Sequence, residues 1–252
     1  MSHPTEFGAA TGDVAATWVQ KYTVDFTSEA AVDIRAGAVL TDTAGVTWDI
    51  ADATVDGEGN ASVLGTDGST GLVVTTSASS GEARLLQLIQ TVLASYALTD
   101  RIAIIVDMSS ADQTQENQVT SFRFGDDPFT DGANQIFRIR SASTDDTKQN
   151  RKQADPGNFN SNVVVLDTAG FHDVLGFDIS GDLCTPYYGA SVPAAPFTGL
   201  TAGNAQSMMR QPDDDTAPYT AALASFQIAV NRNSASANYT MLIKSITLWR
   251  WE

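Results

Sequence analysis

Only two histidines occur in the 252 residues, His3 and His172, and His172 stands beside Asp173 in "GFHDVLG". A Ser-His-Asp site would have to use that pair, yet no G-x-S-x-G elbow is present to offer it a serine. Two histidines are also too few for a histidine-rich metal centre. A histidine at the start of an apolar run is more simply a surface or cross-strand residue. Carboxylates are plentiful: Asp126 with Asp127, Asp145 with Asp146, and Asp213 with Asp214 and Asp215 stand next to each other. Retaining glycosidases need two carboxyls about 5–5.5 Å apart, one kept protonated by an apolar pocket. Adjacent aspartates in polar stretches lack that pocket, so solvated turns are expected. "DGEGN", Asp56 to Asn60, alternates oxygen-bearing side chains with glycines, and Asp52 is near. Calcium accepts such flexible oxygen loops, but the closing glutamate of a full EF-hand loop is missing, and a Gly-rich hairpin turn is the plainer reading. Hence no catalytic, cofactor-binding or metal residue is assigned, and the only cofactor considered is calcium at that turn.

Residues able to bind rather than react are aromatic. Tyr187, Tyr188, Phe197 and Tyr219 fall in a proline-rich stretch and could stack against a glycan. Trp18, Trp48, Trp249 and Trp251 suit a core or a contact equally well. Met208, Met209 and Arg210 lie close by in sequence, and that mixture is also the composition of a protein–protein interface.

Charge narrows the partners. Thirty acidic residues against 14 basic ones give a net charge of −16. Such a chain repels nucleic acid and anionic membranes, and favours neutral or cationic partners. No apolar stretch approaches the roughly 20 residues of a membrane helix. "MSHPTEFGAATGD" has neither the basic nor the apolar region of a secretory signal, so assembly in a cytoplasm is expected. Cys184 is the single cysteine, which excludes an internal disulfide framework and a cysteine-based zinc site.

The elements that must position these residues read as strands. Residues 1–17 are small, polar and non-periodic and suggest an N-terminal arm; 18–252 suggest one domain. Short apolar-alternating runs recur between Gly, Asp, Asn, Ser and Thr clusters, as in a sandwich or barrel. Val39 and Leu40 lead into "TDTAG", with Val46, Trp48 and Ile50 after it, a hairpin pattern. "RIAIIVDM" (101–108) is almost continuously apolar, as expected of a strand covered on both faces. In "EARLLQLIQTVLASYAL", Leu85, Leu86, Ile89, Val92, Leu93 and Tyr96 repeat at helical spacing, which predicts a helix over about 83–97. Residues 145–161 and 184–219 read as long loops, the second holding five of the eight prolines. From Tyr239 to Trp251 neither face is apolar throughout. The phase works if Met241 and Ile243 point inward, then Ile246 and Leu248, with a bulge near Lys244–Ser245. "SFQIAV" just upstream is expected to pair with this last strand, which is expected to be central.

A penultimate strand like "SFQIAV", a polar loop and a last strand like "YTMLIKSITLWR" resemble the ending of concanavalin A-like (laminin-G-like) jelly rolls. "WDIADATVDGEGNASVLGTDGSTGLVVTT" and "FHDVLGFDIS" are similar to earlier pieces of that family. The resemblance implies an all-β, antiparallel sandwich of jelly-roll type, here with one short helix and the arm. It departs from the family's glycosidases, whose Glu-x-Asp-x-x-Glu cluster is absent: Glu6, Glu29, Glu58, Glu82, Glu116 and Glu252 are scattered. Such sandwiches also serve as accessory modules of tailed-bacteriophage virions, and the Ala/Thr/Asp/Gly-rich texture is similar to theirs. The function implied is a non-enzymatic virion component, a capsid-decoration or fibre-type protein. Its partners would be other virion proteins, in a homo-oligomer or a lattice. The alternative is a lectin-like carbohydrate-binding module, with calcium as an option.

Overall fold

The computed structural model describes residues 16–33, 40–49, 61–76, 81–87, 96–97, 99–110, 118–125, 138–142, 147–151, 164–165, 174–181, 183–203, 205–207, 225–232 and 239–252. The first half of the chain supplies β1 (Trp18–Asp25), β2 (Val32–Asp33), β3 (Leu40–Thr41), β4 (Thr47–Asp49), β5 (Ala61–Thr66), β6 (Leu72–Thr76), β7 (Gly81–Gln87), β8 (Arg101–Ser110) and β9 (Gln118–Gly125). The second half supplies β10 (Arg138–Ala142), β11 (Thr147–Arg151), β12 (Val164–Val165), β13 (Val174–Ser180), β14 (Leu183–Gly189), β15 (Thr201–Ala202), β16 (Gln206–Ser207), β17 (Ser225–Arg232) and β18 (Tyr239–Trp251). All the pairings among them are antiparallel, and the described residues include no helix.

A ten-stranded sheet runs β15-β14-β13-β8-β18-β6-β5-β2, with β1 also on β18 and β16 on β14. A five-stranded sheet, β3-β4-β7-β17-β9, lies against it, and β10-β11-β12 form a third, small sheet. The two larger sheets meet through aromatics. Phe26, just past β1, stands edge-on to Trp48 of β4 with ring centroids 5.1 Å apart, and both are fully buried. The middle of the large sheet is buried on both faces. Ile102 to Val106 of β8 are all buried, as are Val174 to Ile179 of β13, which matches the expectation for "RIAIIVDM".

The last strand behaves as its phase demands. β18 is 13 residues long, roughly 43 Å at the usual rise per residue. One edge pairs with β8; the other pairs with β6 over Tyr239–Ile243 and with β1 over Ser245–Trp251. Ile243 lies opposite Met108 but Ser245 lies opposite Asp107, so Lys244 is an extra residue and the ladder bulges there. Its carbonyl is not lost, because the Phe26 N–H donates to it at 2.8 Å. Ile243 is buried before the bulge, and Ile246 and Leu248 after it. The β3–β4 hairpin also forms as expected, Leu40 opposite Trp48 and Thr41 opposite Thr47.

Four expectations are corrected. Residues 81–87 form strand β7, not the start of a helix; β7 is hydrogen-bonded to β17 on one side and β4 on the other. A short apolar run carries both periods, and two flanking ladders outweigh local helix preference there. "SFQIAV" does not pair with the last strand: it lies in β17, between β7 and β9 in the opposite sheet. Residues 183–189, expected to be loop from Cys184 onward, form β14. Pro186 is tolerated because its backbone faces the outer side, where its carbonyl accepts from Gly203 N–H at 2.7 Å, so no bond to β13 is lost. Residues 147–151 form β11 against β10 and β12 instead of a loop. The arm over residues 1–15, the rest of the expected helix over 88–95 and the loop over 208–219 lie outside the described residues.

Candidate functional site

Side chains alternate across a strand, so the register of the large sheet decides which residues share its outer face. Leu183 of β14 lies opposite Ser180 of β13, and Ser180 lies opposite Arg101 of β8. Next to Arg101 comes Trp251, one step beyond the Arg250–Ile102 pair, and Trp251 lies opposite Trp18 of β1. Leu183, Ser180, Arg101, Trp251 and Trp18 therefore form one row along the end of the sheet, roughly 19 Å across four strand spacings. The inner face of the same strands carries Tyr22, Ile104, Leu248 and Phe177, all core.

Arg101 is the centre of the row. Its Nε donates to Asp178 Oδ1 at 3.0 Å and its Nη2 to Oδ2 at 2.6 Å, a bidentate pair. Asp178 sits opposite Ala103, so Arg101 reaches it diagonally across the ladder. The guanidinium carbon also lies 5.1 Å from the Trp18 ring centroid and 5.5 Å from that of Trp251, within cation–π range. The Asp178 side chain is 8% exposed, whereas that of Arg101 is 41% exposed. Trp251 is 39% exposed.

The 190–200 segment folds over the neighbouring part of this face. Phe197 stacks on Tyr187 at 4.2 Å and meets Trp18 edge-on at 5.7 Å. Phe197 adopts a left-handed backbone, φ 66°, unusual for a residue with a side chain and sustained here by the two ring contacts. Glycines make room beneath. A Cβ at Gly176 would come 3.3 Å from Phe197 Cδ1 and 3.2 Å from Tyr187 Cβ, and one at Gly189 would come 2.6 Å from Leu200 Cδ2. Burial, reinforced by the Asp178 charge, pushes the Tyr187 phenol up, so it stays a neutral hydroxyl.

Of the aromatic candidates, the structure brings Trp18, Trp251, Tyr187 and Phe197 together. Trp249 is on the same face, half-buried, and Tyr188 projects to the opposite face of β14. Trp48 is in the core. Tyr219, Met208, Met209 and Arg210 lie outside the described residues. So do His3, His172 with Asp173, the three aspartate runs, and Asp52 with the "DGEGN" turn. Among the described residues no group of three or more His, Cys, Asp and Glu is placed to hold a metal ion. Cys184 is fully buried, and burial pushes its thiol well above the ordinary range, which suits packing and not nucleophilic work.

Sequence reasoning missed the Arg101–Asp178 pair. A signal was present: "VLGFDIS" holds a single carboxylate inside a run of core residues, and a buried charge requires a partner. The partner stands 77 residues away, at the head of another apolar strand.

No protein-family model and no curated protein sequence matches the chain. Among solved structures, a protein of unknown function from Shewanella oneidensis MR-1 is similar over 99% of this chain and 97% of that one, with a TM-score of 0.54 and 12% identity. The binding domain of botulinum neurotoxin serotype C1 is similar over 91% of this chain and 48% of that one, with a TM-score of 0.51 and 11% identity. Trypanosoma rangeli sialidase is similar over 92% of this chain but only 30% of that one, with a TM-score of 0.50 and 12% identity. At such identities the likeness is one of architecture alone, and it agrees with the strand pairings: the chain is an antiparallel β-sandwich.

Proposed function

We propose that the protein is a non-enzymatic binding module, a jelly-roll sandwich of concanavalin A-like type that docks an oligosaccharide on the outer face of its large sheet. One observation supports this above all: the row Leu183–Ser180–Arg101–Trp251–Trp18, with an exposed indole beside a half-exposed guanidinium. A sugar ring offers C–H faces to an aromatic plane and hydroxyls to fixed donors and acceptors. The row supplies an aromatic plane, the Arg101 N–H donors not engaged by Asp178 and the Ser180 hydroxyl, all on strands. Strand-borne groups are already ordered, so binding costs little further conformational entropy. The reading calls for no cofactor.

The test is retention of the full chain on an array of immobilised oligosaccharides, beside a Trp251→Ala variant. Wild type is expected to be retained. The variant should bind at least about tenfold more weakly, ~1.4 kcal/mol, with its melting temperature nearly unchanged. Wild type retained on no glycan would overturn the reading.

A second reading is favoured by the same row, since Trp and Arg are the residue types enriched at the centres of protein interfaces, and Leu183 is 46% exposed. On this reading the protein is a virion component, a capsid-decoration or fibre-type subunit assembled in the host cytoplasm and held by other virion proteins. Co-purification with particles at a lattice-matched stoichiometry, lost in Trp251→Ala, is its expected signature.

A further inference from the structure

We infer that the outer row selects uncharged oligosaccharides over acidic ones, because Asp178 already occupies the fork of Arg101. This rests on the glycan reading of the same row and adds the ligand's chemical class. An isolated surface arginine is a ready site for a uronate or sialate carboxylate, which it grips through two parallel N–H bonds. Here that geometry is taken. Nε and Nη2 both point to Asp178, at 3.0 and 2.6 Å.

An acidic sugar could win the fork only by displacing Asp178. That carboxylate is nearly buried, 8% exposed, and would be left as an unpaired interior charge. Trp18 and Trp251, at 5.1 and 5.5 Å, hold the guanidinium in place from the aromatic side, so it is not free to swing toward a new partner. The charge of the whole chain, −16, repels anionic ligands as well. A neutral sugar asks for none of this rearrangement. A guanidinium has five N–H donors, and two of them serve Asp178. The exposed edge of Arg101 can donate to a hydroxyl while the ion pair stays closed. The pair thus acts as a fixed, net-neutral polar group beside an aromatic plane.

The experiment compares affinities of the full chain for glucose and mannose oligomers with those for galacturonate oligomers of equal length, in wild type and in Asp178→Asn. Wild type is expected to prefer the uncharged oligomers at least about tenfold, with an affinity for them that does not change with salt. Asp178→Asn keeps the side-chain shape but frees the arginine's charge, and should move the ratio about tenfold toward galacturonate, ~1.4 kcal/mol. Should that variant fail to fold, the wild-type ratio and its salt dependence decide alone. Equal or tighter wild-type binding of galacturonate overturns the selectivity and leaves the glycan reading standing. Retention of neither class overturns both.

Discussion

Strand β1 carries one aromatic–carboxylate cluster on each face, and the two are finished differently. On the inner face, Asp42 is 4% exposed and is surrounded by donors. Its Oδ1 accepts from the N–H groups of Ala44 at 2.9 Å and Val46 at 3.0 Å. Its Oδ2 accepts from Trp48 Nε1 at 3.0 Å and from the Tyr22 hydroxyl. Four donors from two sheets converge on one carboxylate, which ties the β3–β4 hairpin to β1. On the outer face, Asp178 meets Arg101, whose side chain faces water over two-fifths of its surface. Similar ingredients therefore give a closed knot in one place and, in the other, an ion pair with spare donors at the surface. A polar network whose bonding capacity is used up internally stabilises and specifies the fold. A network with donors left at the surface can bind.

Replacement of the two aspartates by asparagine measures that difference directly. Asp42→Asn turns an acceptor into an amide that confronts N–H groups, leaving buried donors unpaired. The expected loss is roughly 2–4 kcal/mol, read from the midpoint of a cooperative denaturant melt. Gly176→Ala comes next. Its new methyl would press on Ile105, Tyr187 and Phe197 at 3.1–3.3 Å, and overpacking of that kind costs about 1–3 kcal/mol. It should also lift the 190–200 segment, seen as altered near-ultraviolet circular dichroism. Asp178→Asn should cost least, about 1 kcal/mol, because the Arg101 head is already partly in water where it stands and the amide oxygen still accepts. If Asp178→Asn proved as damaging as Asp42→Asn, the outer pair would be a structural knot too, and the contrast would collapse.

What was legible in the sequence followed the physics of each region. "RIAIIVDM" announced a strand buried on both faces because five consecutive core positions leave no other two-fold pattern. The bulge of the last strand was legible though its partner was not: the apolar phase breaks near Lys244–Ser245, and the ladder slips at Lys244. β7 was misread because Leu85 and Leu86 belong equally to both periods, and only the flanking β4 and β17 decide between them. The partner of β17 was misread because nearness in sequence is a poor guide once a chain can cross between sheets. β14 was hidden behind Pro186, whose compatibility depends on which way one carbonyl points. Arg101 and Asp178 lay farther still from inspection, since their meeting depends on a register between strands 77 residues apart.

Lys244 has a larger influence than its place in a ladder suggests. Beyond it, odd-numbered positions of the terminal strand look outward and even-numbered ones look inward; before it, Ile243 is odd and looks inward. One supernumerary residue thus determines that the indoles of Trp249 and Trp251 meet the surroundings while Ile246 and Leu248 fill the interior. The segment's length is fixed in parity: a change by one would exchange recognition surface for filling, while a change by two would preserve the sides and alter only the reach. The molecule's outward character is set by a single count.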